Sequence, residues 1–420
     1  MTELIHDDFL LKTKMARRLY HKFAEGLAIV DYHSHLSVRD LADDRAFENL
    51  TQLWLVSDPY KHRAMRIAGV PERLITGDAS DREKFGAWAA TVPQMLGNPL
   101  FHWTALELKR YFDIGEMLSA ENAERIWGQC NEKLRSAEFT ARQLIGRARV
   151  ECLCTSDRLG DDLQEHARLA KSGFATRVLP SLRVDELPTG DPASIIERLD
   201  FFQKMGCKVA DHALVECDSE MLRFLGREYG RRGWIMQCHI GAQRQTSTRL
   251  RKLAGPAGGY ATIGNACDIP SLCRFLDDLE KKDCLPRTIL YPLNPADNAA
   301  LATLTGSFAG DGVRGKIQLG PAWWYNDHAL GIRNQLDALA SYGLLSTFIG
   351  MTTDSRSLLS MTRHEYFRRV LCDWLGDQVE AGIMPDDEKQ MGYLVRTIAY
   401  ENARNWIVGR TEVSGPQGSQ

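Results

Sequence analysis

The sequence predicts an α/β protein, a (β/α)8 barrel of the TIM type with a helical insertion after its first strand. Short apolar runs alternate along the chain with long amphipathic segments, as parallel strands and helices do. Eight of these runs can be parallel strands, and eight strands close such a barrel. A polar side chain able to do chemistry lies at or just after the end of each run, where these barrels carry their active sites.

The predicted strands are rich in Val, Ile, Leu and Cys and mostly lack alternation, which is typical of strands covered on both faces. They cover residues 28–33, 150–155, 176–181, 207–211, 234–239, 288–293, 316–319 and 346–352. A competing apolar run at 260–264 means that the count alone does not decide the fold.

The spacing of the strand-end residues indicates where extra segments are inserted. Asp157, Arg183, Asp211 and His239 follow one another at steps of 26, 28 and 28 residues, about one strand–helix unit each. His35, however, precedes Asp157 by 122 residues. A step of that length predicts an insertion after the first strand.

The predicted organisation follows from these steps. Residues 1–35 hold the N-terminal segment and first strand, 36–148 a helical insertion, 149–410 the rest of the barrel and 411–420 a disordered tail. Helical patterns at 82–91, 104–112 and 120–135 support the insertion. The step of 55 residues from His239 to Asn294 predicts a second, smaller insertion.

Composition excludes several classes of protein. The chain has 420 residues, with 52 Lys and Arg against 55 Asp and Glu and a net charge of −3. This balance gives no electrostatic footprint for nucleic acid or for an anionic membrane surface. Neither a signal-peptide pattern at the start nor an apolar run of about 20 residues is present, so a cytoplasmic protein is expected. Ten cysteines without a C-x-x-C motif agree with that compartment.

The strongest chemical signal is the motif His33-Ser34-His35 at the end of the first predicted strand. Residues i and i+2 point to the same side of a strand, so both imidazoles can face one metal ion. Asp354 follows the last predicted strand and would add a carboxylate where the first and eighth strands meet. A helix N-cap is the alternative role for Asp354, but that role does not explain its pairing with the H-x-H motif.

A barrel with H-x-H after strand one and Asp after strand eight resembles the amidohydrolase superfamily. Within it, the sequence resembles the uronate isomerases, also called glucuronate isomerases, from about residue 10 to about residue 410. The N-terminal motifs are Asp31-Tyr-His-Ser-His-Leu36, Thr51-Gln-Leu-Trp-Leu55, Tyr60-Lys61, Arg63-Ala-Met-Arg66, Thr91-Val-Pro93 and Gly97-Asn-Pro-Leu-Phe-His-Trp103. The later motifs are Val178-Leu-Pro-Ser-Leu-Arg183, Asp211-His212, His239-Ile-Gly-Ala242, Thr288-Ile-Leu-Tyr291, Leu293-Asn-Pro295, Trp323-Trp324, Gly350-Met351, Thr353-Asp-Ser-Arg356 and Thr362-Arg-His-Glu-Tyr-Phe-Arg-Arg369.

The resemblance implies an aldose–ketose isomerase acting on hexuronates, which are small-molecule substrates. Such an enzyme interconverts D-glucuronate with D-fructuronate and D-galacturonate with D-tagaturonate by moving a proton between C2 and C1 through an enediol. One divalent ion is implied on His33, His35 and Asp354, with zinc expected and manganese or iron as alternatives. A homo-oligomer is also expected.

The resemblance assigns further roles to single residues. Tyr60 matches a tyrosine that takes part in proton handling, and Arg356 could stabilise the enediolate oxygen. Arg183 could bind the substrate carboxylate in a bidentate fork, while Asp211 and His239 would contact substrate hydroxyls or relay protons. An ordinary packing role for Tyr60 and a salt bridge for Arg356 are the alternatives. Asp354 and Tyr60 are the two candidates for the base that removes the carbon-bound proton.

Missing residues argue against a two-metal hydrolase of the same superfamily. Such enzymes carry a carboxylated Lys or a Glu at the end of strand four and a second His on strand six. Here the fourth predicted strand ends in Asp211-His212, Lys208 lies near its beginning, and the sixth is followed by Asn294. A single metal site fits these residues better.

Departures from the family pattern leave the preferred sugar acid open. Many relatives have His before the tyrosine and Trp two residues after it, where this chain has Pro59 and His62. His62 could compensate for the missing His or could be a surface residue. Asn265 stands where relatives have Asp, and the segment between Asp211 and His239 is short for the family.

Two other functions remain open at this point. A mononuclear hydrolase of the superfamily, such as a lactonase or decarboxylase, would use the same metal ligands and release a different product. A sugar-acid sensor without catalytic activity could keep Arg183 and the pocket, but it would have little use for the metal set together with Tyr60.

Overall fold

The structure is a computed structural model and describes residues 3–184, 187–214, 217–256 and 258–409. The predicted disordered tail at 411–420 lies outside these residues. No helix among the described residues is both long enough and apolar enough to cross a membrane.

Two parallel sheets form the centre of the molecule. The strands are β1 (Ile29–Asp31), β2 (Val150–Cys154), β3 (Asp157–Arg158), β4 (Arg177–Leu179), β5 (Leu182–Val184), β6 (Val209–Leu214), β7 (Ile235–Ile240), β8 (Ala242–Gln243), β9 (Thr262–Ile263), β10 (Arg287–Pro292) and β11 (Ile317–Leu319). One sheet has the order β1-β2-β4, and the other has the order β11-β10-β7-β6-β5-β3. The competing apolar run contributes β9, which pairs antiparallel with β8 and belongs to neither parallel sheet.

The two sheets are continuous with each other. Strands β2 and β3 are consecutive parts of one chain segment, as are β4 and β5, and the gap between them is bridged by backbone hydrogen bonds. Thr155 N donates to Leu179 O at 3.0 Å, and Asp157 N donates to Ser181 O at 2.9 Å. The first seven predicted strands therefore lie side by side in chain order, each parallel to the next.

The prediction of an eighth strand is wrong. Residues 346–352 form no strand, and a 3-10 helix occupies Leu345–Thr347. Side chains take the place of ladder partners here, since Ile349 N donates to the Gln318 side-chain oxygen at 3.1 Å. The segment nevertheless runs beside β1, where Asp354 N donates to His33 O at 3.0 Å. It thus lies between β11 and β1, in the place expected for an eighth strand.

Helices surround the sheets. The helices before β2 are α1 (Lys14–Leu19), α2 (Val38–Ala42), α3 (Leu50–Trp54), α4 (Pro59–Ile67), α5 (Asp81–Thr91), α6 (Pro99–Phe112), α7 (Ala123–Leu134) and α8 (Ala141–Arg147). Those after β2 are α9 (Gln164–Lys171), α10 (Pro192–Lys204), α11 (Glu220–Arg232), α12 (Thr248–Ala254), α13 (Ile269–Glu280), α14 (Asn298–Ser307), α15 (Ala329–Tyr342), α16 (Thr362–Glu380), α17 (Glu388–Arg396) and α18 (Asn402–Ile407). Helices α2–α8 fill the span between β1 and β2, while the domain limits at 36 and 148 remain a prediction.

Helix α4 carries Tyr60, and its start is fixed by local sequence. The Asp58 carboxylate caps the helix by accepting hydrogen bonds from the backbone N–H groups of Tyr60 and Lys61. Pro59 fits the first helical position, because its ring fixes φ near the helical value and the missing N–H has no partner there in any case. Lys61 is buried and its ammonium lies 2.5 Å from the Asp58 carboxylate, which ties the cap to the helix interior.

The segment between β7 and β10 packs against helix α4. Arg63 donates to the carbonyls of Gly259 and Ala261 at 3.4 and 3.2 Å, and Arg66 donates to the carbonyl of Gly258. Gly259 has φ +79° and lies so close to Pro59 that an added Cβ would overlap the Pro59 carbonyl oxygen. A glycine is therefore required where this segment meets the start of the helix.

Replacing Gly259 with alanine should destabilise the protein by about 2 to 5 kcal/mol, the sum of a left-handed backbone cost and an overpacking cost. Gly69→Ala is the matched control, because Gly69 has φ +80° and nothing within 4 Å of an added Cβ. Its expected cost is about 1 to 2 kcal/mol, from the backbone alone. Thermal and urea midpoints measured side by side check the difference, and equal losses would show that the close approach to Pro59 has no energetic weight.

Candidate active site

Three of the predicted site residues converge on one point. The Nε2 atoms of His33 and His35 lie 3.1 and 2.9 Å from the same carboxylate oxygen, Oδ1 of Asp354. Strand β1 ends at Asp31, so the two histidines lie just beyond it rather than within it. Their side chains still turn to one side, and the two rings meet edge to face at 5.2 Å.

The Asp354 carboxylate is held in one orientation. Its other oxygen, Oδ2, accepts a hydrogen bond from Trp323 Nε1 at 2.6 Å. Its backbone has φ +49°, a left-handed conformation that is uncommon for a residue other than glycine. Trp323 therefore leaves Oδ1 directed at the two imidazoles.

Asp31 fastens the segment that carries Asp354 to strand β1. Its fully buried carboxylate accepts hydrogen bonds from the Thr352 hydroxyl at 2.6 Å, the Thr353 N–H at 2.7 Å and the Thr353 hydroxyl at 2.6 Å. Three donors on one carboxylate explain how the irregular segment keeps a defined position without a strand ladder.

Asp211 and His239 form a second pair beside the first set. Imidazole Nδ1 of His239 donates to Asp211 Oδ1 at 2.6 Å, so that in the neutral ring Nε2 is an acceptor. The His239 ring stacks on Tyr291 at 4.5 Å and lies 4.8 Å from the His33 ring. Asp211 lies inside β6 rather than at the end of a strand as predicted, because β6 continues to Leu214.

Two sets of side chains could hold a metal ion, and they share His33. One set is His33, His35 and Asp354, and the other is His33, Asp211 and His239. In each set the potential ligand atoms lie within 4.8 Å of one another. Among the described residues, His33 Nδ1 and His239 Nε2 are buried without a hydrogen-bond partner, so two imidazole nitrogens of the site can still bind a polar group or an ion.

The charges of the site are set by burial and by close ion pairs. Burial alone would raise the pKa of Asp211, but the imidazoles of His239 and His33 outweigh it and hold the pKa below its usual range. The pKa of Asp354 is likewise lowered, since its hydrogen bonds with His33 and His35 outweigh burial. Burial lowers the pKa of His35 to about 4. Both carboxylates are thus ionised at neutral pH and the His35 imidazole is neutral, the forms that bind cations.

Arg183 lies on β5 and faces His35. Its guanidinium Nη1 is 3.1 Å from Nδ1 of His35, and because arginine is always a donor, Nδ1 must be the acceptor. The proton of the neutral imidazole is then on Nε2, where it faces Asp354. The predicted third strand, 176–181, stops short of Arg183, whereas the structure resumes that strand as β5 and includes it.

Tyr60 lies in the first turn of α4 and contacts helices α6 and α16 and the loop after β11. Its hydroxyl donates to Asp327 Oδ2 at 2.9 Å, and the Arg363 guanidinium lies 4.6 Å over its ring. Burial, and after it the negative charge of Asp327, raises the pKa of Tyr60 well above its usual value. The charge of Asp354 acts on Tyr60 in the same direction. Tyr60 is therefore a neutral phenol at neutral pH.

Arg356 links the segment after Asp354 to the region before helix α4. The residue is half-buried, and its backbone carbonyl accepts a hydrogen bond from the Ser57 hydroxyl at 3.4 Å. Ser57 directly precedes the Asp58 cap, so Arg356 and Tyr60 belong to chain segments that touch each other.

The structure also places the residues that depart from the family pattern. His62 is buried, and its Nε2 pairs with the Leu55 carbonyl at 2.8 Å, so it is not the surface residue considered above and it holds the helix to the preceding turn. Pro59 is the first residue of α4, and Asn265 is exposed.

Sequence reasoning did not assign roles to Trp323, Asp327 or Arg363. Trp323 and Arg363 stand in motifs noted above, but nothing in those motifs shows that they contact Asp354 and Tyr60. Asp327 stands in none of the motifs. The sequence did offer one signal for two of these residues. Trp323 is aromatic and Asp327 is acidic, and both follow the end of β11 within eight residues.

Comparisons with known proteins agree on one family. The family model for glucuronate isomerase matches residues 1–189 and 215–407. Asp211 falls in the interval between the two matched stretches, whereas the other site residues named above lie within them. The uronate isomerase of Bacillus pumilus is 43% identical over 463 aligned positions, with 97% of each chain covered. The alignment is longer than this chain of 420 residues, so that relative carries segments that this chain lacks.

Solved structures show the same fold. The uronate isomerase of Thermotoga maritima superimposes with a TM-score of 0.88 at 29% identity, covering 96% of this chain and 99% of the other. The glucuronate isomerase of Caulobacter crescentus superimposes with a TM-score of 0.89 at 21% identity, covering 97% and 98%. The predicted fold class is thereby confirmed. With a family model over most of its length and a relative 43% identical along nearly all of it, the chain belongs to the glucuronate isomerase family, also called the uronate isomerases.

Proposed function

We propose that this protein interconverts D-glucuronate with D-fructuronate and D-galacturonate with D-tagaturonate. A proton moves between C2 and C1 through an enediol. One observation carries the proposal: two imidazole Nε2 atoms lie 3.1 and 2.9 Å from the same carboxylate oxygen, with an arginine side chain against one imidazole. Membership of the family supports the reaction class.

The donor set fits one divalent ion. The Nε2 atoms of His33 and His35 lie 3.1 and 2.9 Å from one carboxylate oxygen of Asp354, close enough for the three side chains to share one ion. Imidazole and carboxylate ligands suit zinc, manganese or iron, with zinc as the expected ion. His33, His35 and Asp354 would hold it. When bound, the ion would supply a Lewis acid for carbonyl or hydroxyl oxygens of the substrate.

The contact between Arg183 and His35 would have to change if His35 held the ion through Nε2. Coordination through Nε2 needs that nitrogen without its proton, so the proton of the neutral ring must lie on Nδ1. A guanidinium cannot donate to a protonated Nδ1. The planar Arg183 guanidinium could bind the substrate carboxylate, which accepts two parallel hydrogen bonds from arginine.

Other side chains supply the remaining roles in the isomerisation. Arg356 would stabilise the oxygen that becomes negative in the enediolate, and a fixed guanidinium does so at no cost of reorganisation. His239 Nε2, held as an acceptor by Asp211, can take a hydrogen bond from a substrate hydroxyl. Asp354 is the stronger candidate for the carbon-proton base, since its carboxylate is ionised at neutral pH whereas the Tyr60 phenol is not.

The reaction is tested by incubating the protein with zinc and, separately, D-glucuronate and D-galacturonate, and recording proton NMR spectra. Ketose signals should appear with at least one of the two sugars, and in deuterated water the C2 proton signal should be lost. Conversion of neither sugar would refute the assignment. Sedimentation of the same sample tests the predicted homo-oligomer, while the cytoplasmic location stays a prediction from composition.

A further inference from the structure

Asp327 is a buried carboxylate that the reaction described above does not use. It lies in the loop between β11 and α15 and is 8% exposed. Its Oδ2 accepts the hydrogen bond from the Tyr60 hydroxyl at 2.9 Å. The contact joins residues 267 positions apart in the chain, so it is a product of the fold rather than of local sequence.

A buried arginine completes this arrangement. Arg363, in the first turn of α16, is 2% exposed and stacks over the rings of Tyr60 and Trp103 at 4.6 and 4.2 Å. Its Nη1 lies 3.7 Å from Asp327 Oδ2 and donates to the Thr353 carbonyl at 3.5 Å. One guanidinium therefore touches the Tyr60–Asp327 pair and the residue that precedes Asp354.

The direction of the hydrogen bond matters for Tyr60. An ionised carboxylate can only accept, so the hydroxyl hydrogen of Tyr60 points to Asp327. The lone pairs of the phenol oxygen are left for another partner. Tyr60 can then accept a proton from a substrate hydroxyl, provided that it passes its own proton on at the same time.

We propose that Asp327 is a positioning residue that orients Tyr60 and takes its proton, so that the two side chains form a relay for the substrate's hydroxyl proton. This inference rests on the proposed isomerase function. An aldose–ketose isomerisation removes a proton from the C2 hydroxyl and adds one to the C1 oxygen, so a relay for oxygen-bound protons is needed beside the base for the carbon-bound proton.

The step balances in protons and charge. The substrate O–H bond breaks and a new O–H bond forms on Tyr60, while the original Tyr60 O–H bond breaks and one forms on Asp327 Oδ2. The negative charge moves from Asp327 to the substrate oxygen. The reverse transfer delivers the proton to the C1 oxygen and restores both side chains, so no other reactant is consumed.

The surroundings of Asp327 allow it to take up a proton. Burial raises the pKa of Asp327, and the positive charge of Arg363 opposes that rise only in part. The other groups facing it are the Tyr60 hydroxyl, the adjacent His328 and the Tyr366 hydroxyl on α16, whose oxygen accepts from Ala329 N at 3.2 Å. The charges of Asp58 and Glu107 also act on Arg363.

The test compares Asp327→Asn, Asp327→Glu and Tyr60→Phe with the double variant Tyr60→Phe/Asp327→Asn, using the zinc-loaded enzyme and the hexuronate it converts. Asp327→Asn should lower kcat about 100-fold with KM changed less than about threefold, a loss typical of proton-transfer groups. Asp327→Glu should recover part of the loss. The double variant should be no slower than the slower single variant, because both changes interrupt one relay.

Two further measurements separate a relay from a packing role. The solvent deuterium isotope effect on kcat and the fall of kcat toward acid should both change in Asp327→Asn, while bound zinc stays the same. Asp297→Asn is the matched control, because Asp297 is also buried with a raised pKa and contacts backbone N–H of Cys267, and kcat should be unchanged.

Different results would refute the relay and the proposed function. If the wild-type protein converts no hexuronate, the proposed function is wrong. If it does, and Asp327→Asn keeps kcat within about twofold or leaves the pH profile and isotope effect unchanged, the relay is wrong and the function stands. Losses that multiply in the double variant would also overturn the relay.

Discussion

In the Asp354→Asn variant, kcat falls about a thousandfold and bound zinc falls below the wild-type amount. The expected loss is in the range for a removed general base, and this substitution also weakens a metal ligand. The asparagine oxygen carries no full charge, so it can neither compensate the positive charge of the ion nor remove a carbon-bound proton. In the wild-type protein, Trp323 Nε1 donates to Oδ2 of Asp354. In the variant, the same N–H could face the amide nitrogen of the asparagine.

Metal analysis by mass spectrometry and steady-state kinetics on the same preparations check this expectation. Asp297→Asn is again a suitable control, since it exchanges a buried carboxylate for an amide after β10 without touching the three convergent side chains. An Asp354→Asn protein with wild-type zinc and wild-type kcat would remove Asp354 from the site.

In the Arg356→Met variant, kcat should fall about 100- to 1,000-fold with a smaller change in KM. Removing one fixed donor for a developing oxyanion has effects of that size. Arg356→Lys should recover part of kcat, because a positive charge returns without the planar fork. Arg183→Met should behave differently and raise KM more than it lowers kcat, because the substrate carboxylate is charged in both the ground state and the transition state.

Kinetics of both arginine variants over a range of hexuronate concentrations distinguish the two roles. The assignments would have to be exchanged if Arg356→Met changed mainly KM and Arg183→Met changed mainly kcat. If neither variant differed from wild type, the anionic substrate would be bound by other residues.

The three convergent residues could be predicted from sequence for a definite reason. His33 and His35 are two residues apart, so any extended backbone turns both rings to one side. Asp354 could be paired with them because the carboxyl ends of parallel strands meet in one place. Both arguments need only local geometry and strand order, and the structure places Asp354 next to the histidines even though its segment is not a strand.

The eighth strand could not be judged from its composition. The run at 346–352 is apolar enough to be a strand, but Asp31, Gln318 and Thr352 supply side-chain hydrogen bonds that replace the ladder. A polar side chain buried beside a strand can compete with backbone pairing, and that competition depends on neighbours distant in the chain.

The Tyr60 environment shows the other limit of sequence reasoning. Asp327 and Arg363 come from elements 267 and more residues away, and their contact with Tyr60 exists only once α4, α16 and the loop after β11 are packed together. His62 is similar, because its place four residues after the helix cap turns it toward Leu55 rather than toward the site.

The most direct test of the metal assignment is anomalous X-ray diffraction from crystals of the zinc-loaded protein, recorded at the zinc absorption edge. One peak is expected per chain, at about 2.0 to 2.2 Å from Nε2 of His33, Nε2 of His35 and Oδ1 of Asp354. The competing donor set shares His33, so the position of the peak decides between them. A peak bonded to Asp211 and His239, or no peak at either set, would contradict the assignment.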